Sequence, residues 1–155
     1  MIQKCMLSSR SLILTIIMLL LLIGLMVFLM MNGQVLAGEI IAATIVALSV
    51  AAMFYMPMKV EVTPRDLIIY CSARVKVIPL ETIESARLFN AMSTPTMRLC
   101  GSGGLYGYWG WFRNRSVGTF FAYCSNLSDG ILIRLNSGRQ YLISPADAPA
   151  FLSAL

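Results

Sequence analysis

The chain has 155 residues, a length that allows at most one small domain. Hydrophobic residues make up 58% of it and charged residues 12%, which excludes an ordinary soluble globular protein. The formal net charge is +5, yet Glu39 is the only charged side chain between Arg10 and Lys59. The chain therefore divides into an apolar region, 1–58, and a polar region, 59–155.

Two long apolar runs fill the first region. The first run, Leu12–Met31, would form a helix about 30 Å long, which matches the hydrocarbon thickness of a bilayer. The second run, 40–58, is similar in length, and the segment between them allows only a tight reversal. Neither run has the polar face of a helix pair in a soluble protein. We expect a hairpin of two transmembrane helices.

The charges that flank these runs predict their orientation. Lys4 and Arg10 precede the first run, Lys59 and Arg65 follow the second, and the connection carries only Glu39. Because basic residues favour the cytoplasmic side, both termini are expected in the cytoplasm. The sequence thus predicts a multi-pass protein of the cytoplasmic (inner) membrane.

A cleaved signal peptide is the competing interpretation of the first run. Residues 35–37, Val-Leu-Ala, resemble a small-x-small cleavage site. The apolar core is longer than that of a typical signal peptide, so we favour an uncleaved helix. After cleavage, the second run would still return the rest of the chain to the cytoplasm.

The second run carries small residues at a spacing of four, at Ala43, Ala47 and Ala51. Such a stripe lets two helix backbones approach closely within a membrane. Its partner is either the first helix of the same chain or a helix of a neighbouring subunit.

The region 59–155 is predicted to be a small antiparallel barrel or sandwich of about seven strands. Short separations between its strands favour hairpins over crossovers. A helix start signal follows the last strand, with Ser144 as N-cap, Pro145 at the first helical position and Asp147 at the third. The expected fold class is α+β. The segments with a period of two are 59–63, 67–71, 74–78, 83–90, 119–125, 131–136 and 139–144.

Three stretches of this region resemble the bacterial PH-like (pleckstrin homology) domains found in small membrane proteins. They are GSGGLYGYWGWFRN (101–114), GTFFAYCS (118–125) and YLISPADAPAFL (141–152). The resemblance covers essentially all of 59–155. It implies a PH-like barrel, closed at one end by the C-terminal helix and located at a membrane. It implies no activity, because a fold alone does not supply one.

The glycine-rich run 101–115 does not fit a phosphate-binding loop. Gly101 and Gly103 have the first spacing of a dinucleotide fingerprint, but Tyr106 occupies the third glycine position. The run contains no lysine, as a P-loop would require, and it leads into a strand rather than a helix N-terminus. These observations argue against a nucleotide site.

The segment between residues 89 and 119 has no clear period and is predicted to be a long irregular loop, which is usually functional or partly ordered. Its rings and arginines have the composition of a membrane–water interface. Three interpretations stay open: the rings complete the barrel core, they contact the membrane or the emerging helix ends with both tryptophans as anchors, or they bind a protein. These residues are Tyr106, Tyr108, Trp109, Trp111, Phe112, Arg113 and Arg115.

The region 59–155 holds ten basic and six acidic residues, a local net charge of +4. Arg74 and Lys76 lie in the hairpin where, by the resemblance, lipid-binding PH domains carry a basic cluster. The alternative is a solvated strand face with general affinity for anionic lipid. The basic residues are scattered and the region is tethered to a membrane, so a nucleic-acid partner is not expected.

No catalytic, metal or cofactor site is predicted. The chain has no histidine to act as a general base near neutral pH. Its four cysteines form no C-x-x-C pair and are expected to be free thiols on the reducing side of the membrane. An enzyme that depends on Cys100 is the disfavoured class.

The sequence therefore predicts a non-enzymatic, membrane-anchored PH-like module that scaffolds or regulates a membrane-associated complex. Its expected partners are membrane lipids and an unidentified membrane or cytoplasmic protein. The alternative is a homo-oligomeric membrane assembly with a structural or pore-like role, with Ala43, Ala47 and Ala51 at the subunit contact.

Overall fold

The structure, a computed structural model, describes residues 2–5, 9–104 and 106–155, without the side chains of residues 9–11, 52 and 53. Three α-helices occur in the described residues: α1 (Ser9–Met31), α2 (Val35–Tyr55) and α3 (Ala148–Leu152). The strands are β1 (Ile2–Lys4), β2 (Pro57–Val62), β3 (Asp66–Cys71), β4 (Val75–Pro79), β5 (Ile83–Phe89), β6 (Thr96–Gly104), β7 (Gly107–Asn114), β8 (Gly118–Cys124), β9 (Gly130–Leu135) and β10 (Gln140–Ile143).

Helices α1 and α2 form a hairpin with a short turn at residues 32–34. Gly33 makes this turn with φ +77°, a left-handed conformation that glycine adopts without strain. Helix α2 begins at Val35, earlier than the predicted 40, and it ends at Tyr55. The predicted span to 58 is wrong at its end, because Pro57 already pairs in β2.

Helix α1 contains the apolar stretch Leu12–Met31, whose mean hydropathy is 3.2 and of which only 6% is buried. By its length and composition, this stretch is long and apolar enough to cross a membrane. The apolar part of α2, Val35–Ala51, is shorter. The two helices approach closely at Gly38, where a Cβ would lie 3.6 Å from the carbonyl oxygen of Met26 and 2.6 Å from Cγ of Met30. The backbones can therefore meet at this end of the hairpin.

The first sheet is antiparallel and has the order β1-β2-β3-β4. Strand β1 was not predicted, and it pairs with β2 so that Gln3 lies opposite Val60. The N–H of Cys5 donates to the carbonyl of Met58 at 2.9 Å, and the N–H of Asp147 donates to Oε1 of Gln3 at 2.8 Å. Residues 2–4 thus belong to the β domain, not to the helical hairpin.

The second sheet has the order β5-β9-β10-β8-β7-β6. The seven predicted strands all occur, but the expectation of a purely antiparallel fold is wrong. Strand β10 lies between β8 and β9 and runs parallel to β8, with Tyr141 opposite Phe121. Five residues, 125–129, separate β8 from β9. They reach up to about 16 Å, enough to pass the position of one strand.

The predicted irregular loop between residues 89 and 119 contains two strands, β6 and β7. They pair from Thr96 opposite Asn114 to Gly104 opposite Gly107. We call this element the glycine hairpin. The expectation failed because repeated glycines and exposed rings hide the alternation by which strands are recognised.

The second sheet is buried on both faces. Ile131 and Ile133 of β9 face the first sheet, together with Phe151 of α3. Leu132 lies in a separate cluster on the opposite face with Phe112 and Phe120. Helix α3 has only five residues and its N-cap is Asp147, whose side chain accepts from the N–H of Ala150. The predicted N-cap, Ser144, is instead buried and accepts from the N–H of Ser125.

Candidate functional site

The tip of the glycine hairpin contacts helix α1. The N–H of Tyr106 donates to Oγ1 of Thr15 at 3.0 Å, and Thr15 is only 6% exposed. Leu14 lies beside the hairpin, because a Cβ on Gly104 would be 3.8 Å from Cδ2 of this leucine. Residue 105, at the tip itself, lies outside the described residues. The β domain is therefore fixed to the apolar helix at a second point, far along the chain from β1.

Trp109 joins the hairpin to the end of α2. Its ring stacks on Tyr55, with centroids 5.2 Å apart and planes 11° from parallel. Tyr55 also contacts Phe121 of β8 at 6.1 Å. The indole Nε1 of Trp109 is buried and has no hydrogen-bond partner among the described residues.

The remaining predicted residues of the run divide into two groups. Phe112 is buried against Phe120, with ring centroids 6.0 Å apart, and Tyr108 packs at the edge of the same cluster. Trp111 is 42% exposed and meets the ring of Phe121 edge to face at 5.2 Å. Two further residues are exposed, Arg113 and Arg115. Alternate residues of β7 thus serve the core and the surface.

A pair of glycines sets the path of the hairpin. Gly101 lies opposite Gly110, with φ values of +116° and +117°. A Cβ on Gly110 would lie 2.2 Å from the carbonyl oxygen of Cys100, and a Cβ on Gly101 would lie 2.1 Å from the oxygen of Trp109. Neither position has room for a side chain. The two strands approach here more closely than side chains would allow.

The two residues of the predicted basic face, Arg74 and Lys76, do not lie side by side on one exposed face of a strand. Arg74 is exposed in the turn between β3 and β4, where its carbonyl accepts from the N–H of Cys71. Cys71 pairs with Pro57, so this turn lies near the end of α2. Lys76 is half-buried, with Nζ 5.7 Å from the ring centre of Tyr141. Arg74 therefore lies at the helix-proximal end of the domain, whereas Lys76 lies against a ring.

The small-residue stripe of α2 is largely exposed. Ala43 and Ala47 are exposed and Ala51 is half-buried. Packing of these alanines on the first helix of the same chain therefore stays a prediction. A neighbouring subunit stays a prediction.

Three of the four thiols are buried. Burial raises the pKa of Cys5 to about 12, with a smaller contribution from nearby Cys71, and it raises the pKa of Cys71 to about 11. Burial also raises the pKa of Cys124 well above its ordinary value. A thiol is nucleophilic only as its thiolate, so these three are poor nucleophiles. Cys100 is exposed on β6.

Within the described residues, no group of three or more histidine, cysteine, aspartate and glutamate side chains could hold a metal ion. Two of the acidic side chains have partners within the β domain. Glu84 pairs with Nε of Arg134 at 2.9 Å, and Glu61 accepts from the hydroxyl of Tyr70 at 3.0 Å. That hydrogen bond is the first cause of a raised pKa for Tyr70. The expectation of a non-enzymatic protein stays a prediction.

The sequence did not identify the helix residues that receive the hairpin. Thr15 was a usable signal, because it is a polar residue inside an otherwise apolar run. Tyr55 at the end of α2 is a second signal of the same kind. Arg98 of β6 also belongs to this junction, where it lines a cleft with Leu14 and Leu48.

Two packed sheets, a short closing helix and two preceding apolar helices define an α+β domain of the PH-like class. A scan against protein families matches residues 58–155 to the family described as Bacterial PH domain. The chain belongs to this family, as its sequence had indicated. Neither the curated proteins nor the solved structures compared with the chain gave a match.

Proposed function

We propose that the protein is a membrane-anchored, non-enzymatic interaction module, in which two transmembrane helices hold a bacterial PH domain against the inner face of the cytoplasmic membrane. The module scaffolds or regulates a membrane-associated complex. Membrane lipids and a membrane or cytoplasmic protein are its partners. No cofactor takes part.

The pairing of β1 with β2 is the observation that carries this proposal. Lys4 lies opposite Lys59, so the segment before α1 and the segment after α2 meet in one sheet. A chain that crosses a bilayer twice returns to its starting side, as this pairing requires. It supports two crossings and an N-terminus that is retained, since cleavage after α1 would remove β1.

The basic residues near the helix ends support a location of the β domain at the cytoplasmic face of the membrane. Lys4 precedes α1, Lys59 follows α2, and the turn with Arg74 lies beside Pro57. Each basic residue near an anionic leaflet contributes about 1 kcal/mol, and the positive-inside rule places such residues in the cytoplasm. The contacts of Tyr106 and Trp109 with the helices would hold the domain in one orientation at this surface.

The edge of the first sheet formed by β4 is the candidate surface for a protein partner. Strand β4 pairs with β3 and, within the described residues, with no other strand. Its outward valines, Val75 and Val77, are 52% and 48% exposed. An uncovered edge with exposed apolar side chains is suited to pairing with another chain.

Affinity purification of the tagged full chain from native membranes tests this function. We expect a protein that is retained by the wild type, lost by Val77→Asp and kept by Met92→Asp, a control at a loop residue that is 67% exposed. If the wild type retains no protein beyond those bound by the Val77→Asp bait, scaffolding through this edge is contradicted.

A homo-oligomeric assembly is the second candidate, favoured by the exposure of Ala43 and Ala47 on α2. Native electrophoresis of the detergent-solubilised protein distinguishes the two. A discrete ring-sized species that dissociates on Ala47→Phe, but not on Val46→Phe, would support the assembly. A monomer with co-purifying proteins would support the scaffold.

A further inference from the structure

A cleft separates the glycine hairpin from the two apolar helices. Its volume is about 230 Å³. The helices supply Leu14, Met18 and Leu48, whereas the hairpin supplies a positive charge and a glycine-rich wall. The hairpin residues of the lining are Arg98, Gly101, Ser102, Gly103 and Trp109. One side of the cleft is therefore apolar and the other polar.

The apolar side lies at the depth of lipid chains if the helices cross the membrane. Met18 is about 9 Å along α1 from the start of the apolar stretch at Leu12, at a rise of 1.5 Å per residue. Leu48 is about 10 Å along α2 from Tyr55, where the helix ends. Both distances place the floor of the cleft below the headgroups and beside the first part of the acyl chains.

The polar side carries an unpaired cation. Arg98 is exposed and forms no ion pair with any described residue. Its guanidinium lies along the hairpin, since a Cβ on Gly103 would be 3.1 Å from Nη1. A planar guanidinium matches the geometry of a phosphate group, which it binds with two parallel hydrogen bonds.

One residue that lines the cleft carries a hydrogen-bond donor without an acceptor. Trp109 lines the cleft, and its Nε1 is the buried side-chain nitrogen that lacks a hydrogen-bond partner within the described part of the chain. A buried donor without an acceptor is unfavourable, and native structures rarely keep one.

We propose that this cleft binds one anionic phospholipid of the inner leaflet, with the phosphate on Arg98 and an acyl chain along Met18 and Leu48. The proposal deepens the proposed function and rests on it, because the floor is at acyl depth only when the helices span the membrane. A free phosphate or a soluble anion would leave the leucine and methionine surface uncovered. The amphipathic lining therefore fits a lipid.

The test uses the full chain in nanodiscs of phosphatidylcholine and phosphatidylglycerol in equal parts, released into native mass spectrometry. We expect one retained phosphatidylglycerol per chain. Arg98→Gln removes the charge at the cleft, and Leu48→Trp fills its floor. The matched controls are Arg113→Gln, an exposed arginine elsewhere on the hairpin, and Val46→Trp, an exposed residue of the same helix.

Retention should fall about tenfold for Arg98→Gln, as expected when one charge-assisted contact is lost. It should also fall for Leu48→Trp, because the new ring would occupy the space of the acyl chain, and it should stay unchanged for both controls. An equal loss for Arg98→Gln and Arg113→Gln would indicate general attraction and overturn the site. So would equal retention of the two lipids, or displacement of the lipid by inorganic phosphate. A chain that stays in solution without detergent would instead overturn the proposed function itself.

Discussion

The ring of Trp109 stacks on the ring of Tyr55, with centroids 5.2 Å apart. Tyr55 is the last residue of α2, and Trp109 lies in the strand that follows the hairpin tip. The stack therefore connects the emerging helix to a part of the domain remote in sequence. With the pairing of β1 and β2, it makes the helices and the β domain one packed unit rather than two bodies on a linker.

Replacement of Trp109 by alanine should lower the free energy of unfolding by about 3 kcal/mol, because a large packed ring and its stacking partner are lost. Thermal unfolding in detergent measures the effect. Trp111→Ala is the control, since this ring is 42% exposed and should cost less than half as much. Equal losses of unfolding free energy in the two variants would show that the contact of Trp109 with Tyr55 does not contribute to stability.

Thr15→Val replaces the hydroxyl that accepts from the N–H of Tyr106 with a methyl of similar size. We expect a loss of about 1–3 kcal/mol, because the backbone donor is left without its acceptor in a low-dielectric site. The control is Thr44→Val on α2, whose hydroxyl donates to the carbonyl of Ile40 in its own helix and is exposed. Unfolding free energies that change equally in both variants would contradict the role of Thr15.

Gly110→Ala should disrupt the glycine hairpin. Its Cβ would lie 2.2 Å from the carbonyl oxygen of Cys100, and the backbone φ of +117° is unfavourable for alanine. Gly118→Ala is the matched control, because it has φ +82° but open space around its Cβ position. Left-handed strain alone costs about 1–2 kcal/mol. Limited proteolysis should therefore cut the hairpin of Gly110→Ala much faster than that of Gly118→Ala.

Stability should fall as the pH rises above 9. Burial raises the pKa of Cys5 to about 12 and that of Cys71 to about 11, from the ordinary value of 9.0. The unfolded chain then loses these protons first, so the folded state is favoured fully below pH 9 and loses that advantage as the pH approaches the folded values. Denaturant unfolding across this range measures the slope.

The double variant Cys5→Ala, Cys71→Ala is the control for the pH effect. Its stability should depend less steeply on pH over the same window. A slope should remain from Cys124, whose pKa burial raises well above its ordinary value, and from Tyr123, whose pKa burial raises to about 12. An unchanged slope would show that other groups govern the alkaline transition.

Local patterns predicted the seven strands of the domain because their alternation reports directly which face of a strand is buried. Ile131, Leu132 and Ile133 show the limit of that signal. All three are buried, since the second sheet is covered on both faces, and no alternation says which strand lies beside β9. The parallel pairing of β10 with β8 depends on packing between residues far apart in the chain. The pattern of a short sequence segment carries no information about it.

The candidate site was predicted only in part for the same reason. The rings of the glycine-rich run were identified by composition, yet their division between core and surface depends on the register of β7. Phe112 faces inward and Trp111 outward because they are adjacent in a strand. The strand was not recognised in the sequence because it contains Gly107 and Gly110. These glycines have positive φ values, which are not typical of a regular β-strand.

Accessibility of cysteines to a membrane-impermeant maleimide tests the central claim most directly. In a Cys100→Ser variant, Asn32→Cys in the turn between the helices should be labelled in intact spheroplasts. In the chain that keeps its native cysteines, Cys100 should be labelled only in inside-out vesicles. Labelling of Cys100 from outside the cell, or of Asn32→Cys only from inside, would contradict a helical hairpin that holds the domain at the inner face.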